Sequence, residues 1–233
     1  MDPVLARELA YHERLYSGFA QQHFARPAVR ALRSHLAAHI LQVTGMGREA
    51  RVLSLGCGIG DTELLMAPRV GEMVGVDLSP AAIRQAREDA GRAGIRNARF
   101  FEGALESLEL GSSFDLVIGI FFLHHLPDGV LAQMPRQVER LLAPGGRFYS
   151  LDPSRYRLSG AIGSLLAPKL MQKYQSPDER ELVPEATARL FREAGFDCRC
   201  SFYDFLSTPL AGLFPGWSAG YWATRVVDEL LIR

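Results

Sequence analysis

The sequence predicts an α/β fold in which an open, mostly parallel sheet carries helices on both faces. Short apolar segments alternate with helical segments through the middle of the chain, a pattern typical of parallel strands joined by crossover helices. Residues 114–121 are almost entirely apolar, as expected of a strand that is buried on both faces. A glycine-rich turn at residues 56–60 joins the first strand to a helix, and turns of this kind bind ligands in such sheets.

The bounds of the predicted elements follow from the apolar runs and from the residues that end them. Ser79 is suited to cap a helix and Pro80 to occupy its first turn, while Gly94 ends the same helix. Pro144, followed by two glycines, ends another helix before the fifth strand. The predicted strands are residues 51–55, 71–76, 98–102, 114–121, 147–151 and 196–205. One predicted helix begins at residue 61, and the others in this part of the chain cover residues 79–93, 130–142, 184–194 and 217–233.

We interpret the 233 residues as a single domain with appendages, because the length suits one α/β unit and no linker or repeat interrupts it. Two amphipathic helices, residues 4–24 and 27–43, precede the first strand, and a further helix is predicted at residues 158–173. We expect these helices to form a lid above the C-terminal edge of the sheet, where open α/β folds bind ligands. The expected segments are a helical lid at 1–45, a ligand-binding core at 50–151, an insertion at 152–183 and a sheet-completing segment at 184–233, in which a seventh strand is not evident.

Composition excludes several classes of protein. Apolar residues make up 48% of the chain and charged residues 22%, as in ordinary globular proteins, and a formal net charge of zero provides no general attraction for nucleic acid. No signal peptide is visible, and the longest apolar run, residues 116–123, is too short to span a bilayer. The three cysteines lack zinc spacing, and His35 and His39 lack an obvious third ligand on what is expected to be a solvated helix face. We therefore expect a cytoplasmic protein without a bound metal ion or a nucleic-acid partner.

The glycine turn and an acid one strand later indicate the kind of ligand. Gly56, Gly58 and Gly60 let backbone N–H groups approach a ligand where a Cβ atom would collide. Asp77 follows the next strand and can accept hydrogen bonds from two ribose hydroxyls. Asp61 stands where a dinucleotide fingerprint has its third glycine, and an acid at a helix N-terminus repels a pyrophosphate but tolerates a cationic ligand. These residues favour a nucleoside that carries no phosphate.

Four segments, taken in order, resemble the class I S-adenosylmethionine (SAM)-dependent methyltransferase family, in its small-molecule type. They are residues 53–60, 75–79, 114–128 and 141–148. The resemblance extends over about residues 50–151 and implies a Rossmann-like fold, SAM as cofactor and S-adenosylhomocysteine as product. Two positions depart from the family pattern: Ser54 stands where the family usually has an acid that helps to arrange the methionyl ammonium, and Ala104 stands where an acid commonly meets the adenine amine.

The resemblance also implies a set of cofactor contacts. The glycine turn would meet the methionyl tail and the ribose, and Asp77 would bind the ribose hydroxyls. Leu78 would pack on the adenine, Phe121 would line the floor near the sulfonium, and Tyr16, like Tyr11, lies at the end of the chain that would close over the cofactor. The full set of expected cofactor contacts is Tyr16, Gly56, Cys57, Gly58, Gly60, Asp77, Leu78, Gly103, Ala104, Leu105 and Phe121.

Three residues are candidates for the chemistry of transfer. Methyl transfer is an in-line displacement, so the protein chiefly positions the reactants and removes a proton from a poor nucleophile. His124 and His125 are adjacent and point different ways, so we expect one to face the cleft as a general base and the other to pack or hydrogen-bond locally. A purely orienting role for both remains open. Asp152, at the end of the fifth strand, is either an acid of the cleft or a turn residue before Pro153.

No motif in the sequence identifies the methyl acceptor. Aromatic side chains are frequent in residues 202–222, and with the apolar residues 161–170 they suggest an apolar mouth for a small-molecule or lipid-like acceptor, with contact to a membrane surface. The alternative is that these side chains only cover the open edge of the sheet. Other hypotheses are a nucleic-acid or protein methyltransferase, a SAM-binding protein without turnover, and a nicotinamide-dependent oxidoreductase. The oligomeric state stays open.

Overall fold

The computed structural model describes residues 3–16, 20–105, 113–156 and 180–232. Within them, five parallel strands form one sheet in the order β3-β2-β1-β4-β5. The strands are β1 Arg51–Leu55, β2 Glu72–Asp77, β3 Ala98–Glu102, β4 Phe114–Ile120 and β5 Leu142–Leu151. The strand order reverses between β1 and β4, so a crevice opens at their carboxyl ends. The predicted α/β fold with an open parallel sheet is confirmed.

The helices flank this sheet and connect its strands. They are α1 Pro3–Arg14, α2 Ala20–Phe24, α3 Pro27–Thr44, α4 Glu63–Met66, α5 Pro80–Arg92, α6 Asp128–Leu131, α7 Met134–Leu141, α8 Pro184–Glu193, α9 Ser207–Leu213 and α10 Ser218–Leu231. The predicted helix at 130–142 is divided into α6 and α7, because a proline lies in the first turn of α7. The predicted helix at 158–173 lies outside the described residues. None of the helices in the described ranges combines the length and apolarity needed to cross a bilayer.

The first five predicted strands are confirmed, but the fifth starts earlier than predicted. Leu142 pairs with Phe114 of β4, and the next ladder pair joins Arg147 to Leu116. The residues between Leu142 and Arg147 bulge from the ladder, and they include Gly145 with a φ of +78°. The proline and glycines that suggested a turn before the strand therefore lie within an irregular first part of β5.

Helix α3 packs on a face of the sheet, not above its edge as the lid interpretation of residues 27–43 required. Its apolar stripe includes Leu32, Leu36 and Ile40, all buried. These side chains belong to the same core cluster as Val52 and Leu116 of the sheet. The stripe is wide enough to cover a sheet face, and burial there removes more apolar surface from water than a position at the rim would. The expectation for α3 was wrong for this reason.

Helix α1, in contrast, reaches the carboxyl ends of the strands. The Glu13 carboxylate accepts hydrogen bonds from the Ser79 hydroxyl and, over 3.1 Å, from the Ala81 N–H. Both donors lie at the N-terminus of α5, where a carboxylate is favoured by the helix dipole. This contact holds α1 over the end of β2. That α1 opens and closes as a lid stays a prediction.

The strand predicted at residues 196–205 is absent, and residues 184–232 add no strand to the sheet. Instead, the Asp228 carboxylate accepts hydrogen bonds from the N–H groups of Phe205, Leu206 and Ser207. The backbone there is satisfied by a buried side chain, so it needs no ladder partner. Apolar residues alternate in 196–205 because one side of this segment packs under α3 and α10, where Tyr203 is buried. The prediction that residues 184–233 complete the sheet was therefore wrong over 184–232.

His35 and His39 do not lie on a solvated face. His35 Nδ1 is 3.3 Å from the Tyr221 hydroxyl, and its ring stacks on Trp222 with the centroids 6.1 Å apart. The His39 ring lies 5.0 Å from the ring of Tyr203. Helix α10 and the preceding segment cover this side of α3, which the periodicity of α3 alone does not reveal.

Candidate active site

The glycine turn after β1 has a backbone that only glycine adopts without strain. Gly56, Gly58 and Gly60 have φ values of +66°, +52° and +72°. A Cβ atom on Gly58 would lie 2.7 Å from the Tyr16 hydroxyl, and one on Gly56 would lie 2.5 Å from the ring of Phe122. Tyr16 therefore lies directly against the turn, and its contact with the cofactor stays a prediction.

Asp77 orders the same turn from the end of β2. Its Oδ2 accepts a hydrogen bond from the Gly58 N–H over 2.8 Å, and its Oδ1 accepts one from the Ser79 N–H over 2.8 Å. Burial raises the pKa of Asp77, and these two bonds oppose that rise. Each carboxylate oxygen keeps a lone pair that can accept a further hydrogen bond, as from a hydroxyl of a bound ribose.

Two further predicted contacts, Tyr16 and Cys57, are protonated groups. Burial, followed by the charge of Asp77, raises the pKa of Tyr16 well above its ordinary value. The same two causes raise the pKa of the Cys57 thiol, which therefore is not a nucleophile at neutral pH. Cys57 packs against Phe100 beneath the turn and donates its backbone N–H to the Val76 carbonyl over 3.0 Å. Its contact with the cofactor stays a prediction.

The predicted adenine contacts line the crevice beside Asp77. Gly103 follows β3 and donates its N–H to the Asp77 carbonyl over 3.0 Å. Leu78 and Leu105 are half-buried, and Ala104 is exposed. These four residues thus follow the carboxyl ends of β2 and β3, and their contact with an adenine stays a prediction.

Phe121 ends β4 in a strained conformation. Its φ is +52°, and its N–H donates to the Leu151 carbonyl over 2.7 Å. Such a φ in a residue other than glycine costs on the order of 1–3 kcal/mol and is concentrated at functional sites. The Arg33 guanidinium lies over the Phe121 ring at 5.3 Å from its centroid. The Phe121 ring also packs against the core cluster that includes the buried stripe of α3, and its contact with the sulfonium stays a prediction.

Sequence analysis missed Glu63, a buried acid beside the glycine turn. The Ser54 hydroxyl donates to Glu63 Oε1 over 2.7 Å, whereas Glu63 Oε2 is buried without a hydrogen-bond partner among the described residues. Burial, followed by the charge of Asp61, raises the pKa of Glu63 to about 7. The missed signal was the pairing of a serine at the family's acid position with a glutamate one helical turn beyond the glycines.

Arg33 is a second missed residue, and it supplies a positive charge beside the turn. Its Nε is 2.9 Å from Asp61 Oδ2, and its Nη1 is 3.5 Å from the Thr62 hydroxyl. The guanidinium also lies over the rings of Phe24 and Phe121. Arg33 reaches the glycine turn from α3, which is too far away in sequence for a local motif to reveal the contact.

His124 and Asp152 form a buried pair. His124 Nδ1 is 2.9 Å from Asp152 Oδ1, and the two side chains are only 4% and 6% exposed. The same oxygen accepts hydrogen bonds from the N–H groups of Phe122 and His124 over 3.1 and 3.2 Å. Asp152 therefore holds the turn after β4, and His124 is the histidine that hydrogen-bonds locally.

The His125 ring lies beneath α1 and next to the ring of His124, with the two ring centroids 3.9 Å apart, so the expectation that the two histidines point different ways was wrong. His125 Nδ1 is 2.9 Å from Glu8 Oε2, and the His125 ring meets that of His12 edge to face at a centroid distance of 4.9 Å. Burial and the neighbouring His125 lower the pKa of His12. His12 also lies 5.8 Å from the Tyr16 ring, so this cluster adjoins the glycine turn. Glu8 and His12 were missed, although their spacing of four residues in a helix was the available signal.

Comparison with known proteins agrees with this geometry. Residues 52–146 match the family described as "Methyltransferase domain". The uncharacterized methyltransferase YcgJ of Bacillus subtilis is 37% identical over 105 residues, which are 45% of this chain and 41% of that protein. Its crystal structure has a TM-score of 0.58 at 24% identity and covers 85% of this chain and 81% of that chain, which supports the fold alone.

Two further relatives differ in how much of their length is matched. The 23S rRNA (uracil(1939)-C(5))-methyltransferase RlmD of Stenotrophomonas maltophilia is 42% identical over 74 residues, or 32% of this chain and 17% of that protein. The sequence match thus spans less than half the length of YcgJ and of RlmD. The demethylmenaquinone methyltransferase of Listeria monocytogenes is 32% identical over 166 residues, or 62% of this chain and 69% of that protein. This sequence match, together with the shared fold, shows that the chain belongs to the class I SAM-dependent methyltransferase family.

Proposed function

We propose that this protein transfers a methyl group from SAM to a small-molecule or lipid-like acceptor. One observation carries the proposal. The Asp77–Gly58 turn and the His125–Glu8 pair lie at the same sheet edge, with His12 of α1 in contact with His125 and near Tyr16. The residues proposed to hold the nucleoside therefore lie near residues that can take a proton, as methyl transfer to a weakly acidic nucleophile needs.

The residues of the crevice suit SAM. Asp77 would accept hydrogen bonds from the ribose hydroxyls, and the adenine would lie against Leu78 and the backbone of residues 103–105. The unpartnered Oε2 of Glu63 is a buried acceptor that matches the methionyl ammonium, and Arg33 is a cation that matches the methionyl carboxylate. In this arrangement, Glu63 takes the role that the acid missing at residue 54 has in the family.

The neighbourhood of the sulfonium also fits a cationic cofactor. The face of the Phe121 ring is electron-rich, and a cation within about 6 Å of such a ring is stabilised. Arg33 already uses this property at 5.3 Å. Bound SAM supplies the electrophilic methyl carbon, and the glycine turn and Tyr16 would hold its methionyl part in place.

The chain's own residues would position and activate the acceptor. Asp152 and His124 hold the turn that carries His125, so they are positioning residues. The acceptor's proton would be removed at the cluster of Glu8, His12 and His125. SAM held by the glycine turn, Asp77 and Tyr16 would supply the methyl group, and S-adenosylhomocysteine would be the product. Helix α1 would exclude water from the reacting atoms.

The choice of acceptor class rests on three supports. The Listeria relative, matched over 69% of its length, is named for an apolar quinone-type acceptor. RlmD is matched over only 74 residues, or 17% of its length, so the similarity transfers little of that protein to this chain. The net charge of zero offers no general attraction for a polyanion. Residues 161–170, which the sequence analysis assigned to the apolar mouth, lie outside the described residues.

A transfer assay with SAM labelled in its methyl group tests the proposal. We expect label to enter a reduced prenylated naphthoquinone, a catechol or a simple phenol, and to be absent from ribosomal RNA and from a peptide mixture. Calorimetric titration with S-adenosylhomocysteine is the companion measurement, since it tests the cofactor site without an acceptor. Label in RNA alone would contradict the acceptor class. Binding of the cofactor without label in any acceptor would support a SAM-binding protein without turnover.

A further inference from the structure

We infer that Glu8, His12 and His125 form a binding site for a divalent metal ion beneath α1. One ligand atom from each of the three side chains lies within 4.8 Å of the other two. Glu8 is buried, and the two histidines are partly exposed. No metal ion was predicted from the sequence, because the histidines weighed as metal ligands were His35 and His39. In the described parts of the chain, that pair is not joined by a third ligand.

The donor set is of a kind that binds transition metals. Two imidazoles and one carboxylate are the protein ligands of many catalytic zinc sites and of non-haem iron sites. Glu8 and His12 are one helical turn apart, so α1 presents both on one side. His125 comes from the turn after β4, which is a separate part of the chain. A metal ion would therefore join α1 to the sheet edge.

The orientation of His12 suits a ligand. Its Nδ1 is 2.9 Å from the backbone carbonyl oxygen of Glu8. A carbonyl only accepts, so the ring proton lies on Nδ1, and the lone pair of a neutral ring is on Nε2. Histidine ligands commonly have one nitrogen fixed in this way by a backbone carbonyl. On the other side, the pair of His124 and Asp152 fixes the turn that carries His125.

The competing arrangement is a cluster held only by hydrogen bonds. His125 Nδ1 and Glu8 Oε2 are 2.9 Å apart, which is a hydrogen-bond distance. For His125 Nδ1 or Glu8 Oε2 to bind a metal ion, this hydrogen bond must break. Otherwise the second nitrogen of the imidazole or the second oxygen of the carboxylate must bind the ion. Metal binding instead places one donor atom of the buried carboxylate and one of each edge-to-face imidazole around a single ion. Metal binding and this hydrogen-bonded state are the two outcomes that experiment separates.

In the proposed function, a bound ion would account for the way in which the acceptor loses its proton. Three protein ligands leave a coordination position for a hydroxyl oxygen of the acceptor or for water. Coordination lowers the pKa of that hydroxyl, so its proton passes to solvent at neutral pH. The oxygen then attacks the methyl carbon, and the C–S electron pair stays on the sulfur. This role depends on the proposed function, whereas binding of the ion does not.

The test is titration of the full chain with Zn²⁺ alone. The protein, without a histidine tag, is washed with a chelator, dialysed, and titrated calorimetrically in the absence of SAM and acceptor. We expect about one equivalent of Zn²⁺ to bind. Replacing a ligand should weaken binding by about 100-fold or more, beyond the roughly 10–100-fold loss typical of groups that only orient a ligand. The variants are Glu8→Gln, His12→Ala and His125→Ala, with His39→Ala as the matched control for adventitious histidine binding.

Three results would overturn the inference. They are binding well below one equivalent, unchanged affinity in His12→Ala and His125→Ala, and an equal loss in His39→Ala. Circular dichroism shows which variants are folded. Cobalt substitution of the unmodified protein gives a second readout that needs no variant, because Co²⁺ with nitrogen and oxygen ligands has visible d–d bands. Absence of those bands would also contradict the site. Since no cofactor is present, failure here leaves the proposed methyl transfer standing, and failure of methyl transfer leaves the metal site standing.

Discussion

Ser54 and Glu63 are joined by a buried hydrogen bond, in which the serine hydroxyl donates to Glu63 Oε1 over 2.7 Å. The two residues come from β1 and α4, on either side of the glycine turn. The other carboxylate oxygen, Oε2, is buried without a hydrogen-bond partner among the residues described. An acid is therefore present near the turn although the strand lacks one, and it enters from the helix. Its burial has consequences for stability and for cofactor binding that can be measured separately.

Replacement of Glu63 by glutamine should stabilise the protein at alkaline pH. The pKa of Glu63 is raised from 4.5 to about 7, so between these values the folded state keeps a proton that the unfolded state has lost. Stability contributed by this group therefore falls as pH rises from 4.5 and is fully lost above 7. Glu63→Gln removes that loss and should raise the free energy of unfolding at pH 8 by about 2–3 kcal/mol, with little gain at pH 4. Urea unfolding at the two pH values measures this.

The charges that face Glu63 supply the control. Asp61 raises its pKa, and Arg33 and the hydroxyl of Ser54 lower it. Ser54→Ala removes a stabilising bond to the carboxylate, so it should destabilise the protein at pH 8, opposite in sign to Glu63→Gln. Equal stability of Glu63→Gln and the parent at both pH values would show that the carboxyl titrates normally.

The same Glu63→Gln variant should bind SAM more weakly. A hydrogen bond to a charged group contributes about 1.5–3 kcal/mol, so loss of the negative charge opposite the methionyl ammonium should weaken binding by about 10–100-fold. Isothermal titration with SAM at pH 8 measures this. Glu102→Gln is the matched control, because Glu102 is an exposed acid at the end of β3. A more stable protein with undiminished affinity would remove Glu63 from the proposed cofactor site.

Asp77→Ala should weaken SAM binding by roughly 1–3 kcal/mol, the cost of leaving ribose hydroxyls without their acceptor. The change also removes the acceptor of the Gly58 and Ser79 N–H groups, so part of the loss would reflect a less ordered turn. Asp77→Asn keeps the size of the side chain and separates these effects. If both variants bind SAM as the parent does, the nucleoside has been assigned to the wrong place.

His125→Ala should lower kcat by about 10²–10⁴-fold, the usual contribution of a group that assists proton transfer. Its KM for SAM should change little, because Asp77 and the glycine turn are intact. His124→Ala should act differently, since that ring is 4% exposed and bonded to Asp152. It should lower the free energy of unfolding by about 1–3 kcal/mol, as expected when a buried acceptor loses its partner. Steady-state kinetics and urea unfolding on both variants distinguish the roles, and the reverse pattern would exchange them.

The C-terminal segment should contact membranes that hold an apolar acceptor. Large apolar side chains are exposed there, among them Phe214 at 57%, Trp217 at 56% and Leu230 at 69%. Aromatic residues of this kind favour the interface between water and lipid. We expect part of the protein to sediment with phospholipid vesicles, and less of the Trp217→Ser/Trp222→Ser variant to do so. Protein that stays entirely in the supernatant would restrict the proposal to soluble acceptors.

Much of the sheet was predictable because its signals are local. The apolar run of β4 records burial on both faces, and Ser79 with Pro80 starts α5 by local bonding, with the Ala82 N–H donating to the Ser79 hydroxyl over 3.1 Å. The positive φ values at 56, 58 and 60 are likewise a property of the turn itself. For such features, the residues within a few positions decide the conformation.

What the sequence by itself determined is therefore the strand and helix alternation, the glycine turn and the acid at residue 77. Only the tertiary structure decided that 196–205 is not a strand, that α3 covers a sheet face, and that the buried carboxylate of Glu63 lies against Ser54. It alone brought Glu8 to His125, which are separated by more than a hundred residues in the chain. The physical reason is that periodicity reports which side of a segment is buried, whereas the identity of the surface that buries it depends on distant residues.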